Sequence, residues 1–228
     1  MELICWLDDD EDLSFAHLLP DRIPALDRRG YKLGEGGSCA DWFPRDLVIP
    51  TWDPQPRPKG YRTPLLMDPY AGRGERMVDI LPNAFGWRVV SPRLKTLLEG
   101  ALRPDEIEFL PIHVRRAEQV LPYFIAHPLI AADCIDMEKS EGMMSSILKG
   151  SYFALKTLVL DPKRIPAGVR FFRAARHPDL VLIDRDLAQA IVDDDHEGGL
   201  FCFPEDFGDP WCPTEAELAE QAKYRTDD

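Results

Sequence analysis

The chain has 228 residues, of which 45% are apolar and 29% charged, and its formal net charge is −13. This composition is close to the globular average, so the chain can bury a sizeable core. No apolar run approaches the roughly 18 residues of a membrane-spanning helix, and the acidic balance disfavours direct binding to nucleic acid. The sequence therefore indicates a globular protein that is expected to bind neither membranes nor nucleic acid.

The N-terminus and the cysteines indicate a reducing compartment. The chain starts M-E-L-I-C-W-L-D-D-D-E-D, without the basic start and apolar stretch of a signal peptide, so we expect a cytoplasmic protein. Five scattered cysteines contain no C-x-x-C pair, and we expect them to be reduced and to fill the core as small apolar residues. Neither they nor the five histidines show zinc spacing, so no metal or cofactor is expected. The cysteines are Cys5, Cys39, Cys134, Cys202 and Cys212.

Residues 1–86 are predicted to be an irregular, Pro-rich N-terminal region packed on the core. Met1 to Leu7 favours a short strand, and Leu47 to Pro50 favours another. The segment W-D-P-Q-P-R-P-K-G, from Trp52 to Gly60, disfavours both helix and central strand and indicates an extended loop. Large apolar side chains in this region predict that it packs on the core. They are Trp6, Trp42, Phe43, Trp52 and Tyr61.

Residues 87–228 give clearer signals and are predicted to form the core with an acidic C-terminal tail. Trp87 to Val90 favours a strand end, and Ser91 followed by Pro92 is typical of a helix start. Leu94, Leu97 and Leu98 have helical spacing, and Gly100 is predicted to end the helix. Two alternating segments, Ile107 to Val114 and Leu121 to Ala126, then predict an antiparallel hairpin.

The remaining elements complete the prediction. Further strands are expected at Tyr152 to Leu160, Val169 to Arg173, Leu180 to Ile183 and Leu200 to Phe203. Asp184 is expected to cap a helix that runs to about Val192, and the T-x-x-E pattern at Thr214 predicts a short acidic helix. The fold class is therefore α+β, with a mostly antiparallel sheet and two or three helices.

Two aspartates and a histidine form the best candidate for catalysis. Asp133, Asp136 and His127 have the residue types of a small hydrolase. However, acids directly after a strand more often shape a turn, and a histidine at a strand end is more often packed and hydrogen-bonded. His113 is expected to face water, and His177, which precedes a proline, to lie in a loop. No G-x-S-x-G motif and no glycine-rich phosphate motif is present, so the protein is not expected to be an enzyme.

The acidic residues are concentrated at the two ends of the chain. Residues 1–70 carry a net charge of −5 and residues 177–228 carry −12, whereas residues 71–176 carry +4. Such ends attract a basic partner, although an acidic surface also simply favours solubility. Acids at the C-terminus of the helix after Asp184 oppose its macrodipole, which indicates a role outside the helix itself. The candidate partner-binding residues are Asp8, Asp9, Asp10, Glu11, Asp12, Asp193, Asp194, Asp195, Glu197, Glu205, Asp206 and Asp209.

Three segments of the chain match motifs of known proteins: V-V-S-P-R-L-K-T-L-L-E at Val89 to Glu99, the hairpin followed by D-C-I-D-M-E-K-S at Asp133 to Ser140, and the closing order F-F-R-A, V-L-I-D-R-D-L, G-G-L-F-C-F-P. They resemble a bacterial family of immunity proteins from polymorphic toxin systems, immunity family eleven, of the myxobacterial type. The resemblance covers roughly residues 87–203, about half of the chain.

The resemblance implies a small cytoplasmic protein that binds and neutralises a cognate toxin by occluding its active site or substrate groove. The family supplies no catalytic residues, and the toxin is expected to present a basic surface. Two alternatives remain at this point. One is the small hydrolase, and the other is a secretion-system adaptor or chaperone that docks through the Pro-rich region.

Overall fold

The computed structural model describes residues 2–9, 18–20, 65–69, 74–83, 86–145 and 149–208. Within these ranges the chain forms thirteen β-strands and two α-helices. The strands are β1 (Leu3–Asp8), β2 (Leu18–Pro20), β3 (Leu65–Pro69), β4 (Ile80–Leu81), β5 (Val89–Val90), β6 (Ile107–Arg116), β7 (Gln119–Pro128), β8 (Ala131–Ala132), β9 (Glu141–Met144), β10 (Tyr152–Thr157), β11 (Phe171–Ala174), β12 (His177–Asp184) and β13 (Gly199–Cys202). The helices are α1 (Pro92–Ala101) and α2 (Arg185–Asp193), and two short 3-10 helices span Pro162–Arg164 and Pro204–Asp206.

The strands form two larger sheets and one hairpin. The first sheet has the order β13-β1-β12-β11-β8, and the second has the order β2-β3-β6-β7-β5-β4. Strands β9 and β10 pair separately. Most neighbours are antiparallel, whereas β3 with β6 and β8 with β11 are parallel. The predicted α+β class with mostly antiparallel strands is therefore confirmed.

The apolar residues of several strands face both sides of their sheets. In β12, Val181 and Ile183 belong to a central cluster with Trp6 and Phe171, whereas Leu180 and Leu182 belong to a different cluster on the opposite face. Because side chains alternate along a strand, a strand covered on both faces reads as a continuous apolar run. The central cluster joins both sheets with α1 and α2, so it forms the middle of the molecule.

Both helices begin where the local sequence predicts. The Ser91 hydroxyl accepts a hydrogen bond from the Leu94 amide at 3.2 Å, with Pro92 at the first helical position. The Asp184 carboxylate accepts one from the Leu187 amide at 2.8 Å. Each cap satisfies a backbone N–H that the first turn leaves free. Helix α1 continues through Gly100 to Ala101, so the prediction that Gly100 ends it is wrong by one residue.

A buried arginine links the two sheets. Arg88 directly precedes β5 of the second sheet, and its guanidinium donates to the Trp6 carbonyl in β1 at 2.7 Å and to the Asp179 carbonyl in β12 at 3.1 Å. It also donates to Asp8 Oδ1 at 3.3 Å, and its side chain is 4% exposed. A buried guanidinium is tolerated when its donors and charge are satisfied, and here the acceptors lie on strands of the other sheet.

Several further predictions can be compared with the structure. Trp6 is fully buried and His113 is exposed, as expected. His177 was expected in a loop, but it lies in β12, is 5% exposed and packs edge-on against Phe207 at 6.2 Å. A proline following a residue favours extended backbone as much as a loop, and here the extended form became a strand. The predictions at residues 47–50, at residues 52–60 and at the tail from Thr214 lie outside the described residues.

Within the described ranges, no helix combines the length and apolar character needed to cross a membrane.

Candidate partner-binding surface

Acidic residues from the two ends of the chain meet at one end of the first sheet. Strand β1 runs toward Asp8, and its neighbour β13 begins at Gly199, directly opposite. One step further, the Asp9 amide donates to the Gly198 carbonyl at 3.0 Å. The start of the N-terminal acidic run therefore lies beside the loop that follows α2. We name this group the acidic junction; its members are Asp8, Asp9, Asp193, Asp194, Asp195 and Glu197.

The backbone of the loop after α2 is fixed by two unusual residues. Asp195 has a φ of 55° and Gly198 has a φ of 92°, both in the left-handed region that favours glycine. A Cβ atom on Gly198 would lie 2.0 Å from the Ile80 carbonyl oxygen. The Ile80 amide in turn donates to the Glu197 carbonyl at 2.9 Å. The loop is thus held against β4 at a distance that glycine alone allows.

Arg93 closes the C-terminal end of α2. From the first turn of α1, its guanidinium donates to the carbonyls of Asp194 and Asp195, both at 2.7 Å. A cation at a helix C-terminus stabilises the macrodipole and satisfies carbonyls that lack helical partners. The unfavourable placement of acids that the sequence indicated is therefore offset within the protein. The macrodipole argument for a partner loses its force.

A buried histidine lies beneath the junction. His196 Nδ1 accepts a hydrogen bond from Arg93 Nε at 3.2 Å and lies 3.3 Å from Asp79 Oδ2. Its Nε2 atom lies 2.9 Å from Asp194 Oδ2, and its side chain is fully buried. Since Nδ1 accepts from Arg93, the proton of a neutral ring is on Nε2, which lies near Asp194 but makes no hydrogen bond to it. His196 therefore connects helix α1, the Asp79 carboxylate and the junction.

The acids of the junction divide into paired and unpaired members. Asp8 pairs with Arg88 and has a side chain only 10% exposed, and Glu197 accepts two hydrogen bonds from Arg76 at 2.6 and 2.7 Å. Asp193 and Asp195 are exposed and are in no ion pair among the described residues; Asp193 accepts from Gln189 at 2.8 Å. Asp193 and Asp195 thus present their charge to solvent.

The other acidic candidates do not join the junction. Glu205 and Asp206 are exposed in the 3-10 helix that follows β13, so they lie at the opposite end of that strand. Phe207, next in the chain, is buried in the cluster that contains Cys5 and Phe172. Asp10, Glu11, Asp12 and Asp209 lie outside the described residues. The predicted acidic set therefore forms at least two separate surfaces.

The residues of the hydrolase alternative occupy separate environments. Asp133 accepts two hydrogen bonds from Arg176, at 2.7 and 3.1 Å, which lowers the pKa of its carboxyl. Asp136 pairs with Lys139 at 2.7 Å and accepts the Glu138 amide at 3.1 Å, so it shapes the turn after β8, as expected. His127 is 2% exposed within β7, opposite Glu108. This separation of the two aspartates weighs against the hydrolase.

The metal-ligating residues of the described ranges form no cluster of three or more that could hold an ion.

Sequence reasoning found the acids of the junction but missed the residues that organise them. Arg93 and Asp194 are 101 positions apart, and Arg76 and Glu197 are 121 apart. Charge pairs at such separations leave no periodic signal in a single sequence. The close approach of Gly198 to the Ile80 carbonyl likewise depends on the tertiary structure.

The chain was compared with known proteins, and no curated protein matches it. A family model of immunity proteins does match, over residues 34–202. The expected resemblance over residues 87–203 is therefore confirmed, and it extends further toward the N-terminus than the motifs indicated. Strand β1, at Leu3–Asp8, precedes the matched span although it lies inside the first sheet. Since the match covers well over half of the 228 residues, the chain belongs to the immunity protein family (Imm11).

Proposed function

We propose that this protein binds a cognate bacterial toxin in the cytoplasm and neutralises it by covering the active site or substrate groove of that toxin. Membership of an immunity protein family is the observation that carries this proposal. The separate ion pairs of Asp133 and Asp136 are consistent with a binding role rather than a catalytic one.

We further propose that the acidic junction faces the toxin, which presents a basic surface. The argument rests on charge and exposure, since Asp193 and Asp195 are exposed at the end of α2 and in the loop after it, and Gly198 of that loop pairs with the partly exposed Asp9. Exposed charges of one sign accelerate encounter with an oppositely charged partner and fix its orientation. Asp8 and Arg88 have a different role, because their pairing is buried and holds the sheets together.

Apolar contacts next to the acids supply the other part of the interface. Val192, directly before Asp193, is 55% exposed, and Leu200, directly after Gly199, is 42% exposed. In protein interfaces, most of the affinity comes from a few well-buried anchors, while rim charges chiefly set the association rate. We therefore expect Val192 and Leu200 to affect dissociation, and Asp193 and Asp195 to affect association.

Growth protection tests the function itself. The toxin encoded beside this protein is expressed in a sensitive bacterium, with and without the full immunity chain. Restored growth, together with co-purification of the two proteins, is the expected result. Continued growth arrest with both proteins present at comparable amounts contradicts the proposed function.

Association kinetics test the surface separately. The double variant Asp193→Lys with Asp195→Lys is expected to lower the association rate constant at low salt by at least about tenfold and to weaken its salt dependence. The matched control is Glu118→Lys with Glu138→Lys, which reverses two exposed acids elsewhere and should have a much smaller effect. Equal effects of the two double variants contradict the assignment of the surface but leave the immunity function intact.

A further inference from the structure

Two cysteines from the two ends of the chain face each other across neighbouring strands. Cys5 in β1 is the register partner of Cys202 in β13. Directly opposite residues place their side chains on the same face of a sheet, with Cβ atoms in contact range. The two thiols lie close enough for each to shift the pKa of the other. Neither cysteine is in a disulfide.

The backbone register shows that the pair can be bridged. The Asp9 amide donates to the Gly198 carbonyl, which marks that pair as hydrogen-bonded. Hydrogen-bonded pairs recur at every second residue of an antiparallel ladder. Cys5 and Cys202 lie four residues further along the same ladder, so they also form a hydrogen-bonded pair. A hydrogen-bonded antiparallel pair has a Cα separation of about 5.5 Å, inside the roughly 4.4–6.8 Å range that disulfides span. The Cα separation therefore permits a disulfide once the Cβ atoms, about 4.5–5.5 Å apart in opposite pairs, close to about 3.5–4.5 Å.

The two thiols differ in access and acidity. Cys5 is fully buried, whereas Cys202 is half-buried and reachable from solvent. The contact with Cys5 lowers the pKa of Cys202, against the opposing effects of burial and of Asp206. The same contact, together with burial, raises the pKa of Cys5. Cys202 is thus the thiol that reacts first with an external oxidant, and Cys5 is the thiol that resolves the product.

Cys134 provides an internal comparison. It belongs to the same buried cluster as Cys5, and burial raises its pKa to about 11. It lies outside the β1–β13 ladder and is not a register partner of either cysteine. Buried thiols of this kind are inert packing residues.

We propose that Cys5 and Cys202 form an oxidation site at which a peroxide produces a reversible disulfide between β1 and β13. The Cys202 thiolate attacks a peroxide oxygen, the O–O bond breaks, and the leaving hydroxide takes a proton to become water. The Cys5 sulfur then attacks the resulting sulfenic acid. The S–S bond forms, the S–O bond breaks, and the hydroxide leaves as water with the Cys5 proton. Two thiols lose two electrons and two protons, and one peroxide is reduced to two waters.

The bond connects an edge strand to an interior strand. β13 forms the edge of the first sheet, and it carries the chain from the acidic junction to the 3-10 helix that contains Glu205 and Asp206. Oxidation fixes that strand covalently to β1. This inference does not depend on the proposed function, since it concerns the thiols of this chain alone.

The first test maps the bond in the full chain. The purified protein is treated with hydrogen peroxide, free thiols are alkylated, and the protein is digested without reductant. Trypsin leaves Cys202 and Cys212 in one peptide, because no Lys or Arg lies between residues 186 and 222, so a second protease that cleaves after Glu205 is required. The expected product joins the peptide of Cys5 to that of Cys202 and disappears with dithiothreitol. A bond from Cys202 to Cys39 or Cys212, or an oxidised Cys202 beside an alkylated Cys5, overturns the proposal.

The variants test the order of reaction. Cys202→Ser should leave Cys5 reduced under peroxide, whereas Cys5→Ala should leave a sulfenic acid at Cys202 that dimedone traps. Cys134→Ser is the matched control and should retain the bond between Cys5 and Cys202. Oxidation of Cys5 in the Cys202→Ser protein, or loss of the bond in a folded Cys134→Ser protein, contradicts the assigned roles. Mapping in the unaltered chain remains decisive if a variant fails to fold.

Discussion

Two neighbouring groups of charges in this protein serve opposite purposes. The Arg88 side chain is 4% exposed and lies between the two sheets. Its guanidinium pairs with the largely buried Asp8 carboxylate and donates to the Trp6 carbonyl. The second group lies at the end of α2 and in the loop after it. There Asp193 and Asp195 are exposed to solvent and form no ion pair among the described residues. The two groups come from different acidic runs of the sequence that meet at one end of the first sheet, yet Asp8 is largely buried with its cation while Asp193 and Asp195 are exposed to solvent.

This contrast shows how burial decides the role of a carboxylate. A buried charge without a partner is strongly unfavourable, so Asp8 and Arg88 depend on each other. An exposed carboxylate is hydrated and contributes little to stability, so the charges of Asp193 and Asp195 can be removed at little cost to the fold. Four substitutions test this contrast, from the largest expected effect to the smallest.

Replacing Arg88 should give the largest loss of stability. Arg88→Leu removes the buried donor to the carbonyls of Trp6 and Asp179 and the cation beside Asp8, so we expect a loss of about 3–5 kcal/mol in the free energy of unfolding. Urea unfolding followed by circular dichroism measures it. The control is Arg93→Leu. The Arg93 side chain is 53% exposed, so its replacement should lower the free energy of unfolding by about 1 kcal/mol. Similar losses for the two variants would contradict the distinction between the two groups.

Replacing Gly198 should cost less, by a different mechanism. Gly198→Ala combines a φ of 92° with a Cβ position 2.0 Å from the Ile80 carbonyl oxygen. We expect it to lower the free energy of unfolding by about 2 kcal/mol or more, since the backbone must shift as well as accept strain. Gly168→Ala is the matched control, because Gly168 also has a positive φ, 73°, but meets nothing within 4 Å. Gly168→Ala should lower the free energy of unfolding by about 1 kcal/mol, because only the positive φ is unfavourable for alanine there.

Neutralising Asp8 should have an intermediate effect. Asp8→Asn preserves the shape of the side chain and removes the charge opposite Arg88, at a position 10% exposed. We expect a loss of about 1.5 kcal/mol, within the range for hydrogen bonds to charged groups. Thermal unfolding measures it, and Glu197→Gln is the control, because its pair with Arg76 is about half exposed and should contribute about 0.5 kcal/mol.

Neutralising the exposed acids should barely change stability. Asp193→Asn with Asp195→Asn is expected to alter the free energy of unfolding by less than about 0.5 kcal/mol. The same variant should slow association with the toxin, so stability and binding separate at this surface. A large loss of stability would show that these two acids stabilise the fold, as Asp8 does. It would contradict the proposal that they are free to contact the toxin.

The elements predicted correctly are those with local causes. Ser91 with Pro92 and Asp184 define helix starts through hydrogen bonds to amides three residues away, and a single sequence contains all of that information. The hairpin of β6 and β7 follows from alternation on either side of a two-residue turn, where Ala117 has a φ of 51°. His177 was placed wrongly because a neighbouring proline is compatible with a loop and with extended backbone alike.

The candidate surface was predicted in part, for the same reason. The acidic run near the N-terminus and the one after α2 are plain in the sequence, and both were identified. Their proximity was not, since it follows from the pairing of β1 with β13. The sequence also treated Asp8 as equivalent to Asp9, because nothing local indicates that an arginine 80 positions away is buried beside it.

The sequence by itself determined the fold class, the helix caps, the central hairpin and the resemblance to immunity proteins, because these depend on short-range hydrogen bonding and on the alternation of apolar residues. The tertiary structure alone decided which acids meet, which one is neutralised by Arg88, and that Cys5 faces Cys202. These are contacts between residues far apart in the chain. Their energies depend on burial and on distances of a few ångströms, and strand pairing sets both.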